Sequence, residues 1–427
     1  MNILLIGSGG REHALAKSLK LSNKCENLFI APGNAGTAQC GTNLMAEVTD
    51  FAQIAALCTL HKIDMLVVGP EEPLVKGIVG FLQQKPELKN MIIIGPADDA
   101  AQLEGSKAFA KIFMKNHGIP TAAYKKFTRE NYDAGVDYIK NHSLPIVLKA
   151  DGLAGGKGVV ICQTHIEAIS EFELMLIKSK YGEAGKKVVI EEFLEGIEMS
   201  VFVLTDGENY ILLPEAKDYK RIGEADTGPN PGGMGAVSPV PFFDDTLKEQ
   251  VIQKIIRPTI EGIKKDGLQY KGFLFFGLMI TPKGPYVIEY NCRMGDPETE
   301  VVIPRIKNDL VDLLLATYNK QLSHVKLQIK EEQAVAIVAV SGGYPGIYEK
   351  GKIIHNLDDM MIDNSIIYHA GTKNDNGKIV TNGGRVLVVS SFADTIDEAA
   401  FKSNYILQHI YFEGMNYRSD IGYEFKN

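Results

Sequence analysis

Residues 287–298 (VIEYNCRMGDPE) set Glu289, Asn291 and Arg293 two positions apart. Side chains alternate faces along a strand, so these three share one face. Two adjacent oxygen donors suit Mg²⁺, and an arginine continuing the row can stabilise charge on a transferring phosphoryl group. Polar groups at the end of an apolar strand are costly to bury unless they bind something, the bland alternative being a surface strand end. In residues 148–159 (LKADGLAGGKGV), Lys149 ends one strand pattern, and a loop with Gly155, Gly156, Lys157 and Gly158 precedes the next. No helix follows and the GK[ST] ending is absent, so this is not a Walker loop. A hairpin tip with free N–H groups and two cations can close over a polyphosphate.

Two further segments carry polar chemistry. Residues 7–13 (GSGGREH) link an apolar run to a helix pattern, where glycines admit an anion to the helix N-terminus. A dinucleotide fingerprint fails twice there: its third glycine position holds Glu12, and residues 31–33 (APG) offer no carboxylate for a ribose. A smaller phosphorylated ligand fits, and so does a tight turn that needs glycine for packing alone. His13 reads as structural. In residues 188–198, Glu191, Glu192, Phe193 and Leu194 could meet an adenine edge and Glu198 its ribose, but a solvated strand end explains them equally.

The elements that must position these groups fall into three blocks. Residues 3–6, 28–31, 65–68 and 91–94 are short apolar runs alternating with helix patterns at 11–21 and 51–61. That alternation predicts a parallel sheet with ligands beyond the carboxyl ends of its strands. A helix is expected from Ser106 to His117. Strand patterns follow at 145–150, 158–162, 188–192, 199–204, 273–280 and 286–291, with helices at 166–178 and 247–265. This block reads as mixed, mainly antiparallel α+β. Residues 223–239, with five glycines and three prolines, are expected to form no regular element. The third block has strands at 334–340, 365–369 and 385–390 and a helix at 396–410.

Composition narrows the class. The chain has 427 residues, 45% hydrophobic and 23% charged, with a formal net charge of -8. About three domains fit that length, and the acidic balance argues against a non-specific nucleic-acid binder. Five scattered cysteines without a CxxC pair predict a reducing compartment rather than a disulfide framework. Cys58 and His61 have a zinc-like spacing, but two ligands make half a site in an apolar helix pattern. Met1 leads directly into an apolar run without a basic leader, and no apolar stretch approaches the roughly 20 residues of a membrane span. A soluble cytoplasmic protein is expected.

These motifs, in this order, resemble the phosphoribosylamine–glycine ligase family of the ATP-grasp superfamily. The resemblance runs nearly the whole chain through IGSGGREHA (6–14), APGNAGT (31–37), GPEEPL (69–74), LEGSKAF (103–109), DTGPNPGGMG (226–235), NCRMGDPET (291–299) and HAGT (369–372). It implies an N-terminal Rossmann-like α/β domain over 1–103. An ATP-grasp domain would follow over 104–328 with a lid at about 124–190, then a small mixed β/α domain over 329–427. The implied reaction joins glycine to 5-phosphoribosylamine with ATP and Mg²⁺ or Mn²⁺, through a glycyl phosphate. No nucleic acid or membrane partner is implied, and a monomer is expected. The resemblance assigns Lys107, Lys149, Gly155, Gly156, Lys157, Gly158, Glu191, Glu192, Phe193, Leu194 and Glu198 to ATP, and Glu289 and Asn291 to the metal. Arg293, Lys220 and Asp218 fall where glycine is activated. Gly9, Gly10, Arg11 and Asn34 would face phosphoribosylamine, with Gly233, Asp296, Pro297 and Glu298 as further substrate contacts and Arg385 toward the sugar phosphate.

The chain departs from the family pattern in places. Residues 272–280 contain no acid for a second metal. Tyr219 replaces a frequent His, Lys217 a Gln, Gly155 an Ala and Met294 a Phe. The rival readings are an ATP-grasp ligase or carboxylase for another carboxylate, and a non-catalytic nucleotide-binding protein.

Overall fold

The computed structural model describes residues 1–154, 158–357 and 362–425. The first block forms a five-stranded parallel sheet in the order Thr42–Asn43, Asn27–Pro32, Asn2–Gly7, Met65–Val68, Ile92–Ile94. Ile3 through Ile6 are fully buried, as a parallel strand covered on both faces requires. The chain adds strands to one side of Asn2–Gly7 and then to the other. That reversal puts the crevice between Gly7 and Gly69, at the carboxyl ends. The sequence pattern missed the two-residue strand Thr42–Asn43 and the helices Glu71–Val75, Ile78–Gln83 and Asp98–Gly105, which are too short for a clear period.

The middle block builds two antiparallel sheets. One orders Tyr124–Thr128, Lys187–Glu192, Ile146–Ala150 and Val159–Cys162, and the helices Tyr132–Lys140 and His165–Leu176 share its core of Phe127, Ile139, Leu148 and Phe172. The other orders Tyr210–Leu212, Ile197–Thr205, Gly272–Thr281 and Gly284–Asn291. In its last pair Gly277 faces Glu289 and Leu278 faces Val287, so Ile288 is an extra residue bulged from the ladder. The single helix expected over 247–265 is instead Asp245–Val251, a π turn at Ile252–Ile256, and Arg257–Lys265. Pro258 lacks the N–H that the preceding turn would bond, and the wider turn absorbs that loss.

The third block does not stand alone. Its five-stranded sheet runs Lys217–Tyr219, Gly235–Ser238, Gln333–Val340, Arg385–Ala393, Ser365–His369, so two strands come from the middle of the chain. The expectation that residues 223–239 hold no regular element is therefore corrected at Gly235–Ser238. Glycine serves there as a close-packing residue: a Cβ on Gly235 would stand 2.6 Å from Ile421 and 2.8 Å from the Ala336 carbonyl. The helix Ile396–His409 covers this sheet.

Candidate active site

The site forms where the three blocks meet. After the first strand, Glu12 folds back over its own helix N-terminus: the Gly9 N–H donates to Oε2 at 2.6 Å and Arg11 Nε to Oε1 at 2.6 Å. A Cβ on Gly7 would come within 2.5 Å of the Glu12 side chain, and one on Gly69 would collide with it. Glu12 thus fills the glycine-lined crevice that a dinucleotide pyrophosphate needs. Arg11 donates to the Met294 carbonyl at 3.2 Å. Burial opposes its charge, but Glu12, Glu71 and Asp296 outweigh that and keep it protonated.

Opposite the loop, Asp296 Oδ1 pairs with Arg385 at 3.0 Å, and Arg385 also donates to the carbonyls of Asp296 at 2.7 Å and Gly233 at 3.4 Å. A Cβ on Gly9 would lie 3.2 Å from Asp296, and one on Gly233 would collide with Pro297. Gly9, Gly10, Arg11, Gly233, Asp296, Pro297 and Arg385 are therefore brought together from four distant segments. Asn34 joins them through scaffold bonds. Its Nδ2 donates to Ser8 O at 2.8 Å and His369 O at 2.7 Å, and its Oδ1 accepts from the N–H groups of Gly36 and Thr37. His13 Nδ1 accepts from the His369 N–H at 2.8 Å, a buried tie between the first and third blocks.

The Glu289–Asn291–Arg293 row opens on a cavity of about 190 Å³ that Asp218, Lys220, Glu198 and Glu298 also line. Lys220 pairs with Glu198 and stands 4.0 Å from Asp218. Burial disfavours the Lys220 charge, yet Asp218, Glu198 and Glu289 raise its pKa well above the usual lysine value. Burial raises Asp218, against the pull of Lys220. Burial and the Asp218 charge push Glu298 up to about 7. Gly277 occupies the facing strand position, where a Cβ would be 3.1 Å from Glu289, so that strand supplies no second carboxylate.

Arg293 is held by two carboxylates that sequence reasoning did not single out. Its Nε donates to Glu71 at 3.2 Å, NH2 pairs with Glu104 at 2.7 Å, and NH1 donates to the Met294 carbonyl at 3.3 Å. Glu104 also accepts the Cys292 N–H at 2.7 Å. Burial works against Glu71 ionisation, but Arg293 and Arg11 together hold it down at about 2. In Glu104 burial wins over Arg293, with Glu71 adding to it, and the carboxyl rises to about 7. Both residues lie in motifs already noted, GPEEPL and LEGSKAF, which was the available signal.

On the nucleotide side, Lys149 Nζ lies 2.9 Å from Glu191 and 3.3 Å from the carbonyl of Ile288, the bulged residue beside Glu289. Lys107 Nζ donates to Gly152 O at 3.3 Å, and burial lowers its pKa although Glu289 opposes this. Lys111, missed by sequence reasoning, is the second cation on Glu191, at 3.2 Å, and burial lowers it to about 8. The Glu191 side chain is thus turned to lysines. The Glu192 N–H is taken by Ala123 O at 3.0 Å, while Phe193 is exposed and Leu194 half-buried at the strand end. Gly158 is described and accepts the Ala150 N–H through its carbonyl at 2.8 Å; the predicted lid residues Gly155, Gly156 and Lys157 lie outside the described residues.

Among the described residues no cluster of three or more His, Cys, Asp or Glu forms a metal cage. The Glu289–Asn291 pair still fits Mg²⁺, which takes one or two protein oxygens and completes its shell with phosphate and water. Cys58 is a core residue, and the His61 ring lies tilted against Phe29 with ring centres 4.5 Å apart. A larger cavity of about 320 Å³, near Lys271 and Tyr318, contains none of the candidate residues. Among the described residues no helix is long and apolar enough to cross a membrane.

Comparison with known proteins agrees with this arrangement. The phosphoribosylglycinamide synthetase family models match as N domain over residues 1–104, ATP-grasp (A) domain over 105–299 and C domain over 334–424. The phosphoribosylamine–glycine ligase of Vibrio vulnificus is 46% identical over 99% of this chain and 98% of its own. The crystal structure of the Thermotoga maritima phosphoribosylamine–glycine ligase superposes with a TM-score of 0.84 at 36% identity, covering 98% of this chain and 100% of that one. The biotin carboxylase domain of Hydrogenobacter thermophilus 2-oxoglutarate carboxylase shares the fold, with a TM-score of 0.74 at 15% identity over 97% of this chain and 91% of that one. The continuous match and the convergence of all three blocks on one site place this chain in the phosphoribosylamine–glycine ligase family.

Proposed function

We infer that this chain joins glycine to 5-phosphoribosylamine, giving glycinamide ribonucleotide, ADP and phosphate in purine synthesis. The observation that carries the reading is the cavity in which Glu289, Asn291 and Arg293 face Asp218 and Lys220, beside the Gly9–Arg385 junction. The same reading has it act as a monomer in the cytoplasm, with small molecules as its partners.

A carboxylate is a poor electrophile, so it is first phosphorylated and the acyl phosphate then meets the amine. Lys107 and Lys149 would hold the nucleotide phosphates. Lys220 and the two Arg293 N–H groups not spent on protein acceptors would orient the glycine carboxylate toward the γ-phosphorus. A divalent cation on Glu289 and Asn291 would supply positive charge to the phosphate oxygens. One glycine oxygen bonds the γ-phosphorus as its bond to the ADP oxygen breaks. The amine then attacks the acyl carbon, phosphate leaves with that glycine oxygen, and the amine proton needs an acceptor that titrates near neutrality. Glu298 meets that requirement inside the cavity.

The test is glycine labelled with ¹⁸O in its carboxylate, incubated with ATP, Mg²⁺ and 5-phosphoribosylamine. Label in the released phosphate is expected by mass spectrometry. AMP with pyrophosphate, or unlabelled phosphate formed in step with product, would refute the acyl-phosphate route.

A further inference from the structure

The strand that presents Asp218 and Lys220 is weakly built. Lys217–Tyr219 is three residues long and lies at the edge of its sheet, where among the described residues its one strand partner is Gly235–Ser238. One additional bridge, between Ser200 and Ala216, steadies its entry. So short an edge has little of its own to fix the direction of its side chains.

The opposite face of this strand supplies what the ladder lacks. Period two turns Lys217 and Tyr219 away from the cavity, and both are buried. They meet one carboxylate: Lys217 Nζ lies 2.7 Å from Glu424 Oε1, and the Tyr219 hydroxyl donates to Glu424 Oε2 at 2.7 Å. The Lys217 ammonium also sits 3.9 Å from the centre of the Tyr219 ring, and the Arg418 guanidinium 5.4 Å from it. Arg418 is fully buried and fastens the same segment to the glycine loop, pairing with Asp226 at 2.6 Å and donating to the Arg221 carbonyl at 3.1 Å. Residues 418–425 therefore bind the strand and the loop that follows it from outside the cavity. The clamp is made by this chain's own Lys217, Tyr219 and Glu424.

We propose that Glu424 is a positioning residue: by holding Lys217 and Tyr219 it fixes the strand that aims Asp218 and Lys220 at the carboxylate substrate. This rests on the glycine reading above for the identity of that substrate, but the clamp itself does not. Glu424 touches no cavity residue through which chemistry is proposed. Its effect should therefore fall on the alignment of one substrate and leave the nucleotide side alone.

The test compares the wild type with Glu424→Ala and Glu424→Gln in the full chain. Amide hydrogen exchange at residues 217–220 should quicken about tenfold or more in Glu424→Ala, which removes both the Lys217 pair and the Tyr219 bond. The KM for glycine should rise by a similar factor, while the KM for ATP and the exchange of the Gln333–Val340 strand stay as they were. Glu424→Gln, which keeps one acceptor, should lie between. In a Lys217→Gln/Tyr219→His background, Glu424→Ala should add nothing. Unchanged exchange at 217–220 in Glu424→Ala would overturn the proposal, as would a parallel rise in both KM values, the mark of general loosening. If the wild type consumes no glycine, the functional reading fails, and the exchange measurements still decide the clamp.

Discussion

Replacing Glu104 with Gln tests how much of the site depends on the aim of Arg293. The glutamine oxygen can still take the Cys292 N–H, now held at 2.7 Å. Its amide then meets the Arg293 NH2 group as donor against donor, so the 2.7 Å ion pair is lost while the bonds to Glu71 and Met294 remain. One hydrogen bond to a charged group is worth about 1.5–3 kcal/mol, which predicts a fall in kcat of roughly 10- to 100-fold. Stability carries an independent signature. The Glu104 carboxyl moves from 4.5 to about 7 on folding, so between those values the folded protein keeps a proton that the unfolded chain has released. Stability from this group is therefore full below pH 4.5, falls as pH rises, and is exhausted above about 7. Over about 2.5 pH units that amounts to about 3 kcal/mol. Urea unfolding of both proteins from pH 5 to 8 measures it. The wild type should lose stability toward neutrality, and Glu104→Gln should show that much less slope. Equal slopes, or a variant with unreduced kcat, would refute the account of Arg293 as an arginine held by two unlike carboxylates.

Glu289→Gln should abolish turnover with the melting temperature retained, because it removes a metal carboxylate from a strand end without touching the core; near-normal rates at saturating Mg²⁺ would remove it from the metal site. Lys149→Met should weaken ATP binding by calorimetry by about tenfold or more, since it deletes one of two cations shared by Glu191 beside the Gly284–Asn291 strand. Gly10→Ala should destabilise the chain by about 1–3 kcal/mol in urea, because its Cβ would press on the buried Glu300 carboxyl. An unchanged midpoint would show that the loop has room to give.

Much of this protein can be read along the chain. Period-two spacing alone put Glu289, Asn291 and Arg293 on one face, and the cavity contains all three. The alternation of short apolar runs and helix patterns was enough for the parallel sheet, because strands covered on both faces are locally apolar throughout. Glu12 at the third glycine position excluded a dinucleotide site, and the structure gives the reason: that side chain occupies the crevice.

Other features depend on contacts between residues hundreds of positions apart, for which local pattern carries no signal. Glu71 and Glu104 stood in conspicuous motifs, but only packing of the first block against the end of the Gly284–Asn291 strand turns both toward Arg293. The Gly235–Ser238 strand looked like loop because it follows a glycine-rich run, and its own glycine, Gly235, serves close approach to Ile421 and Ala336, partners visible only once the third sheet has formed. Asn34 reads along the chain as a ligand contact, and only the fold gives its side chain partners at Ser8 and His369. By itself the sequence determined which residue types stand at strand ends, since alternation and propensity are local. Tertiary structure decided which of them meet and what each is bonded to, because a buried charge or a short edge strand takes its partners from whatever the folded chain brings alongside.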